Sequence, residues 1–221
     1  MIIKSYILEN NPEKTLNIKS ILFYGVNIGL KKHFKNIFKK NNKKSLIKNF
    51  SQEELIKSKN ILYDEIDNPS LFSEDKLIFI EGATDKVFTY LEPIIDKLKN
   101  NKIIVFADPL DKRSKLRSYY EKSKTAIAVA CYEDNEITIK KIITNELKNL
   151  RGLSGENINL IIDNCGVDRV KLENELSKIN TYFNNISIER NKLEDLLNLK
   201  SNDDFERLKD AAIEGNKIKT N

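Results

Sequence analysis

Histidine, cysteine and long apolar runs are scarce in this sequence, and each shortage excludes a class of function. The 221 residues include one histidine, His33, and two cysteines, Cys131 and Cys165. The cysteines belong to no Cys-x-x-Cys or Cys/His cluster, so we expect buried reduced thiols rather than a disulfide or a metal site. One histidine on an amphipathic segment cannot complete a nucleophile–histidine–carboxylate set, so we expect a structural or surface role for His33.

No apolar run approaches the roughly 18 residues that a membrane-spanning helix needs. The first residues also lack the long apolar segment of a secretory signal. Hydrophobic residues make up 40% of the chain, which is enough for the core of one large or two small domains. We therefore expect a cytoplasmic protein with no membrane partner.

The net charge of +5 arises from 38 basic and 33 acidic residues, which is compatible with nucleic acid nearby but does not predict a dedicated basic surface. The densest patterned basic segment lies within a helix predicted over residues 112–122. There Asp111 and Lys115 are spaced as an i,i+4 pair, and the predicted cationic face carries Lys112, Arg113, Lys115 and Arg117. The face is either solvated or contacts a partner subunit or DNA phosphates.

Strand-like and helical segments alternate over the first part of the chain. Five strands are predicted, at residues 20–24, 44–49, 76–80, 102–107 and 125–131. Helices are predicted at residues 27–39, from the capping box of Ser51 and Glu54 to Ile66, at residues 86–99 with an interruption at Pro93, and at residues 112–122. This alternation predicts an α/β domain with a mostly parallel sheet over residues 1–132.

Only helical patterns follow residue 133. Helices are predicted at residues 137–150, 154–164, 168–182 and 192–197, and a last one at residues 203–214 ends at Gly215. We therefore predict a small helical domain over residues 133–200 and the start of a further segment over residues 201–221.

The loop after the first predicted strand, residues 24–32, stands where an α/β nucleotide-binding domain keeps its phosphate-binding residues. A P-loop reads GxxxxGK followed by Ser or Thr. Here Gly25 and Gly29 are four residues apart rather than five, Lys31 does not follow a glycine, and Lys32 replaces the hydroxyl residue. We expect a degenerate P-loop without nucleotide hydrolysis, cofactor or metal, and read Asp108 as a turn former or helix cap rather than a Mg²⁺ ligand.

Leu71 and Phe72 lie between turn formers just before the predicted strand at residues 76–80. Such a pair is either a plug of the core or an exposed wedge that inserts into a partner, since a few aromatic and aliphatic anchors dominate interface energies. Local chemistry alone favours the plug.

Several segments together resemble the delta subunit of bacterial DNA polymerase III, a clamp-loader component. One is the step Ser70-Leu71-Phe72-Ser73 before a hydrophobic strand, and another is the run from Leu110 to Arg117. Residues 210–215 resemble the segment that leads into the family's C-terminal collar. The family's helix pattern G-x-D-x-x-x-L-x-N-E-L-x-K-L is matched, with Ile179 for the last Leu, at Gly166, Asp168, Leu172, Asn174, Glu175, Leu176 and Lys178.

The resemblance implies an AAA+-like α/β domain without ATPase chemistry and a small helical domain, with the collar absent from the chain. It implies a non-catalytic part of the polymerase (nucleotidyltransferase) holoenzyme that binds the beta sliding clamp and opens its ring for loading on primed DNA. In this picture Leu71 and Phe72, flanked by Ser70 and Ser73, form the clamp-binding wedge. The gamma/tau and delta-prime subunits would join through the collar. An active P-loop ATPase and a DNA-binding module are the alternatives.

Overall fold

The computed structural model describes residues 1–58, 60–67, 75–184, 186–199 and 209–215. The chain divides into two compact units, Met1–Glu133 and Asp134–Asn221. Each unit has a hydrophobic core of its own. The predicted separation of residues 133–200 from 201–221 stays a prediction, because most of the later segment lies outside the described residues.

The first unit contains a six-stranded sheet in the order β1-β6-β2-β5-β4-β3, and every neighbouring pair is parallel. β2, β4 and β5 are apolar along almost their whole length, as strands covered on both faces must be. The predicted α/β fold with a mostly parallel sheet is thereby confirmed. The strands are β1 (Ile2–Lys4), β2 (Ser20–Tyr24), β3 (Leu46–Ser51), β4 (Lys76–Glu81), β5 (Lys102–Ala107) and β6 (Ala126–Ala130).

Helices cover both faces of this sheet, because successive strand side chains point to opposite sides. One face packs with α1 and α2, through residues such as Leu8 and Phe34. The other packs with α3 to α6, through residues such as Leu55, Leu91 and Leu116. The helices of this unit are α1 (Ser5–Asn10), α2 (Ile28–Asn41), α3 (Gln52–Lys57), α4 (Ile61–Asp67), α5 (Asp85–Ile95) and α6 (Lys115–Lys122).

Two expectations about these helices were wrong. The helix predicted from Ser51 to Ile66 is two helices, α3 and α4, because Ser58 has a non-helical backbone. Ser and Asn side chains compete for backbone hydrogen bonds, which explains a break in the segment that holds Ser58 and Asn60. The capping box of Ser51 and Glu54 is present as predicted, although it caps the shorter helix α3.

The helix predicted over residues 112–122 was also placed too early. α6 begins at Lys115 with Ser114 as its N-cap, and Asp111 instead forms a turn in which its carboxylate accepts from the Arg113 amide at 2.8 Å. The predicted i,i+4 pairing of Asp111 with Lys115 is therefore absent.

Two further differences concern the ends and interruptions of elements. β1, α1 and a short 3-10 turn at Pro12–Thr15 precede the first predicted strand, so the sheet has six strands rather than five. α5 runs past Pro93 as one element and ends at Ile95, four residues before the predicted end.

The second unit is helical where the structure describes it. Its core joins α7 (Glu136–Glu146), α8 (Gly155–Cys165), α9 (Arg169–Tyr182) and α10 (Arg190–Leu196). Residues 209–213 are also helical, before Gly215. Cys131 and Cys165 are both buried and form no disulfide with each other. No helix in the described parts of the chain is long and apolar enough to cross a membrane.

Candidate functional site

The connection between β2 and α2 is three residues long, from Gly25 to Asn27. Gly25 has φ of +136°, and a Cβ at this position would lie 2.2 Å from the carbonyl oxygen of Cys131. A side chain is therefore excluded both by the backbone conformation and by the close approach of the segment after β6.

Two of the three amides of this connection are bonded within the protein. The Gly25 amide donates to the Ala107 carbonyl at 3.3 Å, and the Asn27 amide donates to the Cys131 carbonyl at 3.1 Å. The Asn27 side chain accepts from the Leu30 amide at 2.8 Å, which caps α2, and donates to the Tyr132 carbonyl at 3.0 Å. In a P-loop the backbone amides face phosphates. Here the connection joins the carboxyl ends of three strands.

The other two residues of the predicted degenerate P-loop lie in α2. Gly29 is the second residue of that helix and is buried. The Lys31 side chain is 12% exposed, and its Nζ lies 3.0 Å from the Ala107 carbonyl and 3.3 Å from the Asp108 carboxylate. Its charge is therefore directed at the carboxyl end of β5.

A cavity of about 360 Å³ opens beside α2 at this edge of the sheet. Two of its lysines face carboxylates that also line it, Lys31 with Asp108 and Lys35 with Glu81, the latter pair at 2.7 Å. Within the described residues, no three His, Cys, Asp or Glu side chains come together as metal ligands. The charges of Lys31 and Lys35 are therefore balanced by Asp108 and Glu81 of the protein itself.

The predicted wedge, Leu71 and Phe72 with Ser70 and Ser73, lies outside the described residues. The structure does describe what precedes and follows it. α4 ends at Asp67, and the carbonyl of Asp75, just before β4, accepts from the Leu46 amide at 3.0 Å. The chain therefore re-enters the described structure at the amino edge of the sheet, opposite the β2–α2 connection.

A buried charge cluster holds α4 to this edge. The Lys76 side chain is 7% exposed, and its Nζ contacts the Glu65 carboxylate at 3.0 Å and also donates to the Glu65 carbonyl. Lys48 of β3 reaches the same carboxylate at 2.9 Å. Burial alone would raise the pKa of Glu65, but the hydrogen bonds from Lys48 and Lys76 hold that pKa below its usual range.

This cluster fixes the chain on both sides of residues 68–74, since Glu65 lies two residues before the end of α4 and Lys76 opens β4. This cluster was not predicted from the sequence. The signal was a lysine directly before four consecutive apolar strand residues, where a buried ammonium group needs a partner.

The four predicted basic contact residues are not equivalent in the structure. Lys112, Arg113 and Lys115 are exposed. The Arg117 side chain is 16% exposed; it donates to Glu121 at 2.7 Å and to the Leu110 carbonyl at 3.0 Å. Its guanidinium also lies 4.9 Å from the centre of the Tyr24 ring, so it is engaged within the fold.

Comparison with known proteins gives similarity of structure only. No family model matches the sequence, and no curated protein does. The Bacillus subtilis DNA clamp loader delta protein matches with a TM-score of 0.61 at 15% identity, over 83% of this chain and 59% of that chain. Domain III of the Thermotoga maritima replication initiation protein DnaA matches with a TM-score of 0.45 at 15% identity, over 88% of each chain. This chain therefore shares the fold of the Bacillus subtilis clamp loader delta protein and spans about 59% of that protein's length.

Proposed function

We propose that this chain is a clamp-loader subunit of the delta type, which binds a sliding clamp and opens its ring for loading on primed DNA. The observation that carries the proposal is the fold shared with the Bacillus subtilis clamp loader delta protein. The delta-like sequence segments, above all residues 70–73, support the same assignment independently of the fold.

The clamp contact is assigned to Leu71 and Phe72. An aliphatic and an aromatic side chain side by side are a typical anchor for a hydrophobic pocket. The Glu65–Lys76 pair joins the residues that precede and follow the segment that carries them, and the hydrogen bond from the Leu46 amide to the Asp75 carbonyl fixes the residue just after it. Fixed ends reduce the conformational entropy lost on binding, which favours a binding role for the segment.

The proposed subunit is non-catalytic and needs no nucleotide of its own. The amides of Gly25 and Asn27 are bonded to carbonyls, and Lys31 is paired with Asp108. A phosphate would have to displace these bonds before it could bind the loop.

The remaining partners follow from the same assignment. In the assembled loader, the gamma/tau and delta-prime subunits would join this chain through a collar in the cytoplasm, and primed DNA would be bound in the complex. Exposed Lys112, Arg113 and Lys115 are the residues we assign to contact with DNA or a neighbouring subunit.

The test is the affinity of the clamp for the variant Leu71→Ala/Phe72→Ala, measured by surface plasmon resonance. Burying each side chain contributes about 1.5–3 kcal/mol, so loss of both should weaken binding by about a hundredfold or more. A matched control removes an exposed aliphatic and an exposed aromatic residue elsewhere, Leu16→Ala/Tyr6→Ala, and should bind as the parent does.

A melting curve of the same variant separates the wedge from the core plug. Truncating a Leu or Phe in a core costs about 2–5 kcal/mol, whereas an exposed wedge can be removed with little loss of stability. Unchanged clamp affinity together with a large loss of stability would reject the wedge.

A further inference from the structure

An open groove of about 620 Å³ lies along α5 and α6, on the sheet face opposite α2. Four cations line it: Arg113, Lys115, Lys122 and Lys124. All four side chains are exposed, and none has an ion pair among the described residues. We call this surface the α5–α6 groove.

One carboxylate lines the α5–α6 groove within the described part of the chain, that of Asp96. Asp96 accepts a hydrogen bond from the Thr125 hydroxyl at 3.4 Å. The lining therefore carries four cations to one carboxylate, with Asp85 as a further acid that acts on Lys115. This excess of positive charge contrasts with the paired lysines Lys31 and Lys35 of the cavity beside α2. An anionic partner is the complement of such a surface.

Two aromatic rings line the same groove. Phe88 of α5 and Tyr119 of α6 pack with their centroids 5.4 Å apart and remain partly exposed. On α6, Lys115, Tyr119 and Lys122 are spaced i, i+4 and i+7, so they share one helix face with the ring between the two charges. The two lysines are about 10 Å apart along the helix axis, enough to reach different phosphates of one strand.

We infer that the α5–α6 groove binds single-stranded nucleic acid, with the cations along the phosphates and Tyr119 stacked against a base. Cations flanking an accessible ring are the combination that single-strand binding surfaces use. A duplex keeps its bases stacked on one another and would use the cations alone. An acidic protein would likewise match the charge without a role for the ring.

The salt dependence of binding tests the cations. The full chain is titrated into fluorescein-labelled oligothymidylate and followed by fluorescence anisotropy. If four phosphates are neutralised, Kd should rise by about 50-fold between roughly 50 and 200 mM salt. The variant Lys122→Gln/Lys124→Gln should bind more weakly and lower the log–log salt slope by about 1.4.

A matched control removes two exposed lysines on the α2 side of the sheet, Lys40→Gln/Lys43→Gln, and should leave the salt slope unchanged. An equal fall of the slope in this control would show diffuse attraction rather than a groove, and would overturn the inference.

The ring is tested by Tyr119→Leu, with Tyr119→Phe as its conservative partner. Loss of one stacked base should weaken binding by about 5-fold to 150-fold without changing the salt slope, and Tyr119→Phe should bind as the parent does. A melting curve shows whether Tyr119→Leu is folded at the assay temperature. If it is not, Tyr119→His, which keeps a stacking ring, is compared with Tyr119→Gln and should bind the oligonucleotide more tightly; equal affinities would contradict the role of the ring.

Three results would contradict the inference: no measurable binding at about 50 mM salt, equal affinity for a duplex of the same length, or equal affinity for polyglutamate with no effect of Tyr119→Leu. The inference does not rest on clamp binding. Leu71→Ala/Phe72→Ala should bind the oligonucleotide normally, and the groove variants should bind the clamp normally, so either proposal can fail alone.

Discussion

Lys76 is a lysine with a 7% exposed side chain at the start of a strand whose next four residues are fully buried apolar side chains. Burying an ammonium group is costly unless a carboxylate and further acceptors are in place. Glu65 supplies both a carboxylate oxygen and a backbone carbonyl. The pair thus fixes the start of β4 against α4.

Replacing Glu65 by Gln should therefore lower the free energy of unfolding by about 2 kcal/mol, because Lys76 and Lys48 lose their common anion. Asp64→Asn is the control, since it removes an exposed carboxylate one residue earlier on the same helix. Urea denaturation of both variants measures the difference. Equal stabilities of the two variants would contradict the structural role of Glu65.

The effect of Glu65 should also depend on pH. Its pKa is lower in the folded protein than in the unfolded chain, so its contribution is complete above the ordinary glutamate pKa of about 4.3 and is lost as pH falls through the lower folded value. The difference in unfolding free energy between the parent and Glu65→Gln should therefore shrink below about pH 4. A difference that grew on acidification would contradict the lowered pKa of Glu65 in the folded protein.

The β2–α2 connection is hydrogen-bonded to the carboxyl ends of β5 and β6, and Lys31 donates a further hydrogen bond to the Ala107 carbonyl at the end of β5. Lys31→Ala should lower the free energy of unfolding by about 1–2 kcal/mol, because the Ala107 carbonyl loses a charged donor in a partly buried site. The neighbouring Lys32 is exposed, so Lys32→Ala should lower it by less than about 0.5 kcal/mol.

Nucleotide binding is a separate test of the same connection. In calorimetry, the parent chain should show no saturable Mg-ATP binding up to about 1 mM. Micromolar binding abolished by Lys31→Ala would instead support the ATPase alternative.

Strongly periodic elements were predictable from the sequence. The run from Lys102 to Ala107 and the apolar spacing within α2 each identify their element, because burial on both faces or on one stripe leaves a direct trace in the residue order. The start of α6 could not be predicted, because Asp111 and Ser114 are both good N-cap residues. In the structure Ser114 caps the helix and also donates to Asp85, whereas Asp111 accepts from the Arg113 amide in a turn.

The candidate sites were predictable only in part. The departures from a P-loop at Gly29, Lys31 and Lys32 could be read directly, whereas the bonding of the loop amides depends on Ala107 and Cys131, which are distant in sequence. Two further contacts could not be predicted, because they depend on how the helices pack. These are the ion pair of Glu65 with Lys76 and the ring contact of Phe88 with Tyr119. The spacing of Lys115, Tyr119 and Lys122 was present in the sequence and indicates the groove in retrospect.

The two compact units have separate cores, so each has the means to fold by itself. Residues 1–133 contain the whole sheet and its helices on both faces, a size at which single domains are commonly stable. A fragment of residues 1–133 should therefore melt cooperatively, as followed by circular dichroism. A fragment of residues 1–124 lacks β6, which lies between β1 and β2, and should remain unfolded. Failure of the longer fragment to fold would show that the second unit is needed for the first.

The short connection from Gly25 to Asn27 also limits how such a chain could acquire a nucleotide-driven cycle. Changing Lys32 to Thr, or placing a glycine before Lys31, would spell more of the phosphate-binding motif without supplying the backbone to wrap a triphosphate. The motif needs no additional residues, since Gly25 and Lys31 are already separated by five residues as in GxxxxGK. The backbone would instead have to unwind the first turn of α2, move Gly25 away from the Cys131 carbonyl and release Asn27 from its capping bond to Leu30. Restoring ATP control is therefore a problem of backbone conformation, and substitutions that leave the start of α2 helical would give a protein that carries the motif and still does not bind the nucleotide.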